Sequence, residues 1–229
     1  MERVAGRWRA RGETGMLDRT ALKVTNPIEM MTQMTESGGT SVDEVCFETS
    51  RLRARPLKAG DEVALQSVFA EAGDYFLSIT GRPEPDADAA VREIEACGSV
   101  AGREIALLTD RETGESVGAI GWWEGSPEPD LTLLGMMLIV PGSRGRGLAR
   151  EALHGLEGHL EGRGVRALRS AAGAGDARVQ DFLKALGFEP LDERKHVSLD
   201  RGRMMIALFE KTLGSVSYTH LTLPTIYSV

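Results

Sequence analysis

A ten-residue apolar run that leads directly into a loop of glycine and arginine constrains this chain more than any other feature. Residues 131–140 read LTLLGMMLIV and residues 141–150 read PGSRGRGLAR. A strand that is apolar at nearly every position is buried on both faces, so it belongs near the centre of a sheet. Gly135 inside the run predicts a bulge. The loop therefore stands between a central strand and a helix, as either a plain turn or a cradle for an anion.

The loop has the chemistry of an anion site. The first backbone N–H groups of a helix have no partner within the helix, and they carry a partial positive charge. Gly145 and Gly147 lack the Cβ atoms that would keep a phosphate away from those groups. Arg144, Arg146 and Arg150 add positive charge. This density of arginine favours the anion cradle over the plain turn.

Two common nucleotide-binding motifs do not match the loop. In the P-loop pattern GxxxxGK[ST], Leu148 stands in place of the lysine and Ala149 in place of the serine or threonine. In the dinucleotide pattern GxGxxG, Arg150 stands in place of the third glycine, and the preceding strands are predicted to form an antiparallel meander. A nucleotide-binding module that uses the same cradle in another way stays a rival interpretation.

Periodicity and turn residues predict an ordered domain from residue 51 onward. Its elements follow the order β-α-α-β-β-β-α-β-α-β-β, with the segment GDYFLSITG as a loop between the first two helices. Because a helix follows the glycine loop, the next strand should lie parallel to the apolar run. The helix after the loop buries one face, formed by Leu148, Ala149, Ala152, Leu153, Leu156 and Leu160.

The last helix follows the segment AGAGD. Asp176 is predicted to cap its first turn, and Gly187 to end it. Its inward positions are predicted to be Val179, Phe182, Leu183 and Leu186.

The loop resembles the acyl-coenzyme A motif of the GNAT superfamily of N-acetyltransferases, Arg/Gln-x-x-Gly-x-Gly/Ala. Arg144, Gly147 and Ala149 fill its three positions, and Pro141 precedes it as it does in the family. The element order and the ending DFLKALGF match the family as well. The resemblance covers residues 51–213 and implies the GNAT fold, an α/β (α+β) domain with a mixed central sheet of about seven strands and flanking helices.

The resemblance also implies the donor half of a site for acetyl-CoA. Backbone N–H groups from Gly145 to Ala149, Leu148 included, would hold the pyrophosphate of the coenzyme. Exposed backbone at Ile139 and Val140 would pair with the pantetheine arm. Asp176 stands where the family often has an asparagine that meets that arm.

The implied activity is acetyl transfer from acetyl-CoA to an amine, and the catalytic groups are far less clear. The family's usual acid is a tyrosine of the last helix, and Leu183 occupies its place. The apolar run carries no acidic residue where many members have a glutamate, so the candidate bases are Asp130, Glu124 and His196. With these gaps, a catalytically degenerate domain that binds acyl-CoA as a sensor is the second rival interpretation.

Two aromatic residues are candidates for the acceptor side. Tyr75 lies in the segment predicted as a loop, where it either contacts the acceptor or packs in the core. Trp122 is followed by Trp123, and neighbours on a strand point to opposite faces. One indole can therefore line an acceptor pocket while the other is in the core, and Trp122 is the candidate for the pocket.

Composition narrows the partners. A formal charge of −7 and a pI near 5.3 argue against nucleic acid as the main partner. The only cysteines are Cys46 and Cys97, and no His/Cys metal motif occurs, so we expect no metal and a reducing cytoplasm. No membrane-spanning run or signal peptide is evident, and a homodimer is possible for the family.

Both ends of the chain differ from the middle. Residues 1–50 show no sustained period and are predicted to be a flexible extension. Residues 214–229 contain SYTHLTLPTIYSV, which resembles the translation of a sequencing adapter and is predicted to be a non-native tail.

Overall fold

A computed structural model of the chain describes residues 44–199 and 202–214. Most of the predicted extension and nearly all of the predicted tail lie outside these residues. The strands are β1 (Phe47–Glu48), β2 (Leu52–Pro56), β3 (Arg103–Asp110), β4 (Ser116–Glu124), β5 (Leu131–Ile139), β6 (Ala167–Gly173), β7 (Glu189–Leu199) and β8 (Gly202–Thr212). The helices are α1 (Glu62–Glu71), α2 (Gly73–Thr80), α3 (Ala89–Ser99), α4 (Leu148–Glu161) and α5 (Ala177–Ala185).

The strands form one sheet in the order β1-β2-β3-β4-β5-β6-β8-β7. All neighbours are antiparallel except β5 and β6, which are parallel as the intervening helix α4 requires. The antiparallel meander β3-β4-β5 and the central place of the apolar run are thus confirmed. The predicted α/β fold class is confirmed too, with eight described strands where about seven were expected.

The extra strand is β1, which falls inside the segment predicted to be a flexible extension. Phe47 pairs with Ala54 of β2, and its side chain is only 9% exposed. A Cβ atom on Gly155 of α4 would lie 2.3 Å from the Phe47 ring, so this glycine lets the strand pack against the helix. A two-residue strand has no periodicity to detect, and the helix that covers it is about a hundred residues away in the chain.

Two apolar clusters lie on opposite faces of the sheet. Helices α4 and α5 cover one face, where five of the six predicted inward residues of α4 are buried and Ala149 is partly buried. Helices α1, α2 and α3 cover the other face. On β5, Leu134 belongs to the α4 side, whereas Met136 and Leu138 belong to the α1 side.

This change of face confirms the bulge predicted at Gly135. Gly121 of β4 pairs with Met136 and Trp122 pairs with Leu134, so Gly135 has no partner on β4. One extra residue in a strand shifts the side-chain alternation by one position. The bulge therefore turns the second half of β5 over with respect to the first half.

Two local predictions were wrong. The segment GDYFLSITG is helical as α2. The reason is packing on α1: the ring of Phe76 lies edge-on to that of Phe69, with the ring centroids 5.1 Å apart, and this contact buries the inner face of the segment. Phe182 is 40% exposed, although Leu183 and Leu186 are 5% and 6% exposed. Helix α5 is oriented so that Leu183, and Leu186 just after the helix, pack in the core, whereas Phe182 points partly into solvent.

We expect Gly118→Ala to destabilise the protein strongly. A Cβ atom at Gly118 would lie 2.1 Å from the carbonyl oxygen of Leu138, which would force β4 and β5 apart. The free energy of unfolding, measured with urea, should fall by about 3 kcal/mol. Gly98→Ala on α3 is the control, because nothing lies within 4 Å of its Cβ position and alanine favours a helix. Equal unfolding midpoints for Gly118→Ala and the parent chain would contradict the close approach.

Candidate active site: a glycine loop beside a splayed pair of strands

The two central parallel strands separate after a short contact. They are paired only from Leu131 with Ala167 to Leu133 with Arg169. At the next position the hydroxyl of Ser170 donates a hydrogen bond to the carbonyl oxygen of Leu134, at 3.0 Å and inside the protein. Beyond this point β5 and β6 run on without pairing to each other. The result is a wedge-shaped cleft in the middle of the sheet.

The walls of the cleft are small and accessible. Gly135 and Ala171 lie just beyond the point of separation, and both are exposed although they sit in the two central strands. Residues in the middle of a central strand are normally buried. This accessibility leaves room for a slender ligand to pass between β5 and β6.

The edge of β5 presents backbone groups to the cleft at Ile139 rather than at Val140. The N–H group of Val140 donates to the carbonyl oxygen of Val117 at 3.0 Å. Because backbone groups of successive strand residues point in opposite directions, those of Ile139 face away from β4 and into the cleft. The predicted role in pantetheine pairing is therefore narrowed to Ile139, since the N–H group of Val140 is already bonded.

The glycine loop lies at the wide, open end of the cleft and is shaped for an anion. Gly145 and Gly147 have φ angles of 74° and 80°, in the left-handed region that favours glycine. Among the described residues, no side chain caps α4, which starts at Leu148 directly after the loop. A Cβ atom on Gly145 would meet none of their atoms within 4 Å, and one on Gly147 would meet only the Arg51 guanidinium at 3.9 Å.

The loop thus fits the pyrophosphate that the resemblance implies. Open space stands in front of the first N–H groups of α4, including those of Leu148 and Ala149, where an anion is stabilised by the helix dipole. Leu148 is 1% exposed in the α4-side core, and burial of a leucine contributes about 1.5–3 kcal/mol. This anchor holds the start of the helix in place beneath the loop.

The three arginines of the loop differ in their partners. Arg144 forms a bidentate pair with Asp74 of α2, with both N–O distances 2.9 Å. Arg150 donates to the carbonyl oxygen of Ala185 at the end of α5, at 2.7 Å. Arg146 is 52% exposed and approaches Asp110 only to 3.9 Å. Among these three side chains, Arg146 is the one most readily available to a ligand.

The β1–β2 turn braces the loop from behind. Arg51 donates to the carbonyl oxygen of Arg146 at 3.0 Å and pairs with Glu151 of α4 at 2.5 Å. Partial burial by itself would raise the pKa of Glu151. Hydrogen bonds from the Thr49 hydroxyl, from the backbone and side chain of Arg51 and from the Ser50 hydroxyl lower that pKa to about 2.

Asp176 caps α5 as predicted. Its side chain accepts a hydrogen bond from the backbone N–H group of Val179 at 3.2 Å. One carboxylate oxygen is therefore used by the first turn of the helix, next to the end of β6. Its predicted contact with the pantetheine arm stays a prediction.

The candidate bases Glu124 and Asp130 lie at the opposite end of the sheet from the loop. Glu124 pairs with Thr132 in the β4–β5 register, roughly 25 Å along β5 from Ile139 at about 3.4 Å per residue. It forms an ion pair with Arg163, and Asp130 forms one with Arg166. Both carboxylates are therefore held at the end where β5 and β6 are still paired.

His196 also lies apart from these two residues. It is an exposed residue of the edge strand β7, paired with Met205 of β8. Strand β8 separates it from β6 and from the cleft. The structure thus does not bring the three candidate bases together.

Of the two acceptor-side candidates, Trp122 is a core residue. Its side chain is 2% exposed and packs in the α4-side cluster, so the prediction that it lines an acceptor pocket is corrected. Trp123 is the half-exposed neighbour, and its indole N–H donates to the carbonyl oxygen of Ala101 at 3.0 Å. The strand alternation that separates the two rings was right, and Trp122 is the ring on the core side.

Tyr75 lies on α2 beside the cluster that contains Met136 and Leu138 of β5. Burial raises the pKa of its hydroxyl, with a smaller contribution from the negative charge of Glu93. The phenol therefore stays protonated over the whole physiological range. Leu183, which replaces the usual tyrosine of the family, is 5% exposed in the core and offers no proton.

A second, open cleft of about 820 Å³, the outer cleft, adjoins the loop on the α1–α2 side. Its walls include Glu71, Asp74, Glu84, Arg144 and Arg178. Asp74 links the two arginines, because it also accepts a hydrogen bond from Arg178 of α5 at 3.0 Å. The outer cleft and the cleft between β5 and β6 thus meet at the ion-pair cluster of Asp74, Arg144 and Arg178.

Several residues of the site carry no signal in the sequence. Asp74 and Arg178 lie 70 and 104 positions from their partners, and Ser170 and Arg51 also act over long separations. Each is an ordinary polar residue in its local context. Only the fold shows that they surround the loop.

Within residues 44–199 and 202–214, no set of three or more His, Cys, Asp and Glu side chains is arranged to hold a metal ion. None of the helices in the same part of the chain is long and apolar enough to cross a membrane.

Comparison with known proteins identifies the family. A family profile described as "Acetyltransferase (GNAT) domain" matches residues 51–189. The chain therefore belongs to the GNAT acetyltransferase family, whose members use acetyl-CoA as acyl donor. No protein with a curated description matches its sequence.

Solved structures agree with this assignment. An acetyltransferase from Thermus thermophilus is 26% identical, with a TM-score of 0.60 over 71% of this chain and 97% of that one. A probable GNAT acetyltransferase from Chromobacterium violaceum is 16% identical, with a TM-score of 0.65 over 90% and 97% of the two chains. A ribosomal L7/L12 alpha-N-protein acetyltransferase in complex with coenzyme A is 12% identical, with a TM-score of 0.59 over 74% and 98%.

Glu151→Gln should reduce stability by about 1–3 kcal/mol at pH 7, because hydrogen bonds to a charged carboxylate are lost. The folded-state pKa of about 2 lies below the ordinary value of 4.5, so the ionised form stabilises the fold above pH 4.5 and loses its effect as the pH falls toward 2. Urea unfolding at about pH 7, 4.5 and 2.5 should therefore show the two proteins converging in acid. A constant difference across this range would mean that the carboxylate charge is not responsible.

Proposed function

We propose that this protein transfers the acetyl group of acetyl-CoA to a primary amine by direct attack within a ternary complex. One observation carries the proposal: a glycine loop at the start of α4 stands at the open end of a cleft between β5 and β6. An anion site and a narrow channel are thus contiguous, as a ligand with a pyrophosphate and a long thin arm requires.

For every part of the donor side, this chain offers residues that we propose as its ligands. Backbone N–H groups from Gly145 to Ala149 would hold the pyrophosphate, and Arg146 would add charge from the exposed side of the loop. The backbone of Ile139 would pair with the pantetheine amides as an added strand does. Acetyl-CoA would supply an activated thioester, and the residues around Gly135 and Ala171 leave the space for it.

The acceptor amine would approach from the outer cleft beside α1 and α2. Its wall carries the carboxylates of Glu71 and Glu84, which attract a cationic group, beside the ion-pair cluster of Asp74, Arg144 and Arg178. The amine nitrogen forms a bond to the acyl carbon, the carbon–sulfur bond breaks, and the amine proton passes to water. An alkylammonium has a pKa of about 10.4, so deprotonation at pH 7 costs about 4–5 kcal/mol.

Neither proton transfer has a side chain in the positions that sequence patterns suggest. Leu183 replaces the usual acid, and the carboxylates of Glu124 and Asp130 are held in ion pairs at the far end of the sheet. A thiolate with a pKa of about 8.5 leaves without much assistance. We therefore infer that water carries the protons and that the rate rises with pH until the amine is deprotonated.

These missing groups also favour the second candidate, an acyl-CoA-binding domain that senses its ligand without turning it over. Both functions need the donor side, and only the enzyme releases coenzyme A. Incubation with acetyl-CoA and a panel of amino acids, aminoglycosides and peptides should release free thiol with at least one acceptor. Tight binding of acetyl-CoA without thiol release from about pH 7 to about pH 9, where more of the amine is neutral, would support the sensor.

Calorimetry should show that coenzyme A and acetyl-CoA bind and that ATP and NAD do not. Gly147→Val should raise the Kd for coenzyme A at least about tenfold, because the φ of 80° and the added side chain both disturb the loop. Gly60→Val is the matched control, since Gly60 has a φ of 103° and lies after β2 and away from the glycine loop. Its Kd should be unchanged. Preference for ATP or NAD would instead identify a nucleotide-binding module.

A further inference from the structure

Arg144, the arginine of the loop motif, already forms an ion pair with a carboxylate of the protein itself. Both terminal nitrogens of Arg144 contact the Asp74 carboxylate at 2.9 Å, and its Nε donates to the carbonyl oxygen of Ile139 at 2.7 Å. All three nitrogens of this guanidinium therefore have partners within the chain. In this state Arg144 cannot form a two-pronged contact with a phosphate without releasing Asp74.

The same carboxylate holds a second arginine from across the cleft. Arg178 of α5 donates to Asp74 at 3.0 Å, and Arg178 is 78% exposed. Helix α5 follows β6, whereas Arg144 follows β5, so the two arginines come from the two strands that separate. Asp74 of α2 joins both sides at the open end.

The contact also covers part of the cleft edge. The carbonyl oxygen of Ile139 faces into the space between β5 and β6, and it is the acceptor taken by Arg144. A ligand that pairs with this edge needs the same oxygen. A ligand along β5 therefore competes with the Arg144 side chain for this oxygen.

We propose that Asp74 is a positioning residue that clasps Arg144 and Arg178 across the mouth of the cleft, and that the phosphates of coenzyme A displace it. A carboxylate and a phosphate bind a guanidinium with the same two-pronged geometry. Asp74 thus stands in for the phosphate until coenzyme A binds. This inference rests on the proposed binding of acyl-CoA.

The energetics suit a contact that opens and closes. Asp74, Arg144 and Arg178 have side-chain exposures of 38%, 36% and 78%, so water competes for each of them. Exposed ion pairs contribute little to folding, so the clasp can open at small cost. Hydrogen bonds from Arg144 and, to a smaller extent, from Arg178 hold the pKa of Asp74 below its usual value, against the opposing effect of partial burial. The carboxylate is therefore charged at neutral pH.

Removal of the competing charge should speed the arrival of coenzyme A. Asp74→Asn leaves Arg144 and Arg178 without their anion, which raises the local positive potential. In stopped-flow experiments at low salt, the association rate constant should rise about threefold to tenfold, and the Kd should fall. Asp74→Glu, which keeps the carboxylate, should stay close to the parent protein. Salt should reduce the difference, because ions screen exposed charges.

A double-mutant comparison separates this mechanism from a general change in the site. In an Arg144→Gln, Arg178→Gln background, Asp74 has neither arginine to hold and only the field of its carboxylate remains, so Asp74→Asn should raise the association rate by a clearly smaller factor than in the native background. The urea midpoint of each variant serves as a check on folding. An unchanged or slower association of coenzyme A with Asp74→Asn in the native background overturns the clasp.

The outcome for the parent protein distinguishes the two hypotheses. Binding of coenzyme A to the parent protein with identical kinetics in Asp74→Asn rejects the clasp and leaves the proposed function in place. Absence of binding to the parent protein and to every variant rejects both.

Discussion

The separation of β5 from β6 is the constraint on which the rest of the site depends. Backbone groups in the middle of a sheet are normally paired, and unpaired ones must find another partner. Here the two strands share only three paired positions, and the Ser170 hydroxyl closes the wedge at its narrow end. The open edge of β5 is stabilised in part by Arg144, which caps the carbonyl oxygen of Ile139. One acceptor at the open edge of the cleft is therefore occupied by the protein's own side chain.

Charge in the glycine loop is organised around this opening. Arg51 and Glu151 hold the loop from behind, while Asp74 holds Arg144 and Arg178 in front. The first contact is partly buried and supports the backbone of the loop at Arg146. The second is exposed and can exchange. The proposed donor side is thus held in place where a phosphate would meet the backbone, and adaptable where the phosphate would meet side chains. The proposed acceptor side is an open cleft with mixed charge.

Much of this arrangement could be predicted from local sequence. The run of residues 131–140 indicates a central strand, and Gly135 indicates the bulge, because burial and backbone geometry act on consecutive residues. Helix α2 and the exposure of Phe182 were missed, because the tertiary packing of α2 on α1 and the rotation of α5 decide them. Trp122 shows most clearly what local sequence cannot decide. Alternation separates it from Trp123, but only the helix packed on one face decides which indole is buried.

By itself, the sequence determined the strand, the loop and the helix that form the proposed donor site, since these are contiguous and their chemistry is local. It also determined the family, through Arg144, Gly147 and Ala149 in that loop. The tertiary structure alone decided which of the loop arginines is available, and that Asp74 holds Arg144 while the carbonyl oxygen of Ala185 holds Arg150. The reason is distance along the chain: Asp74 meets Arg178 across 104 residues, and no local pattern records a contact that only folding creates.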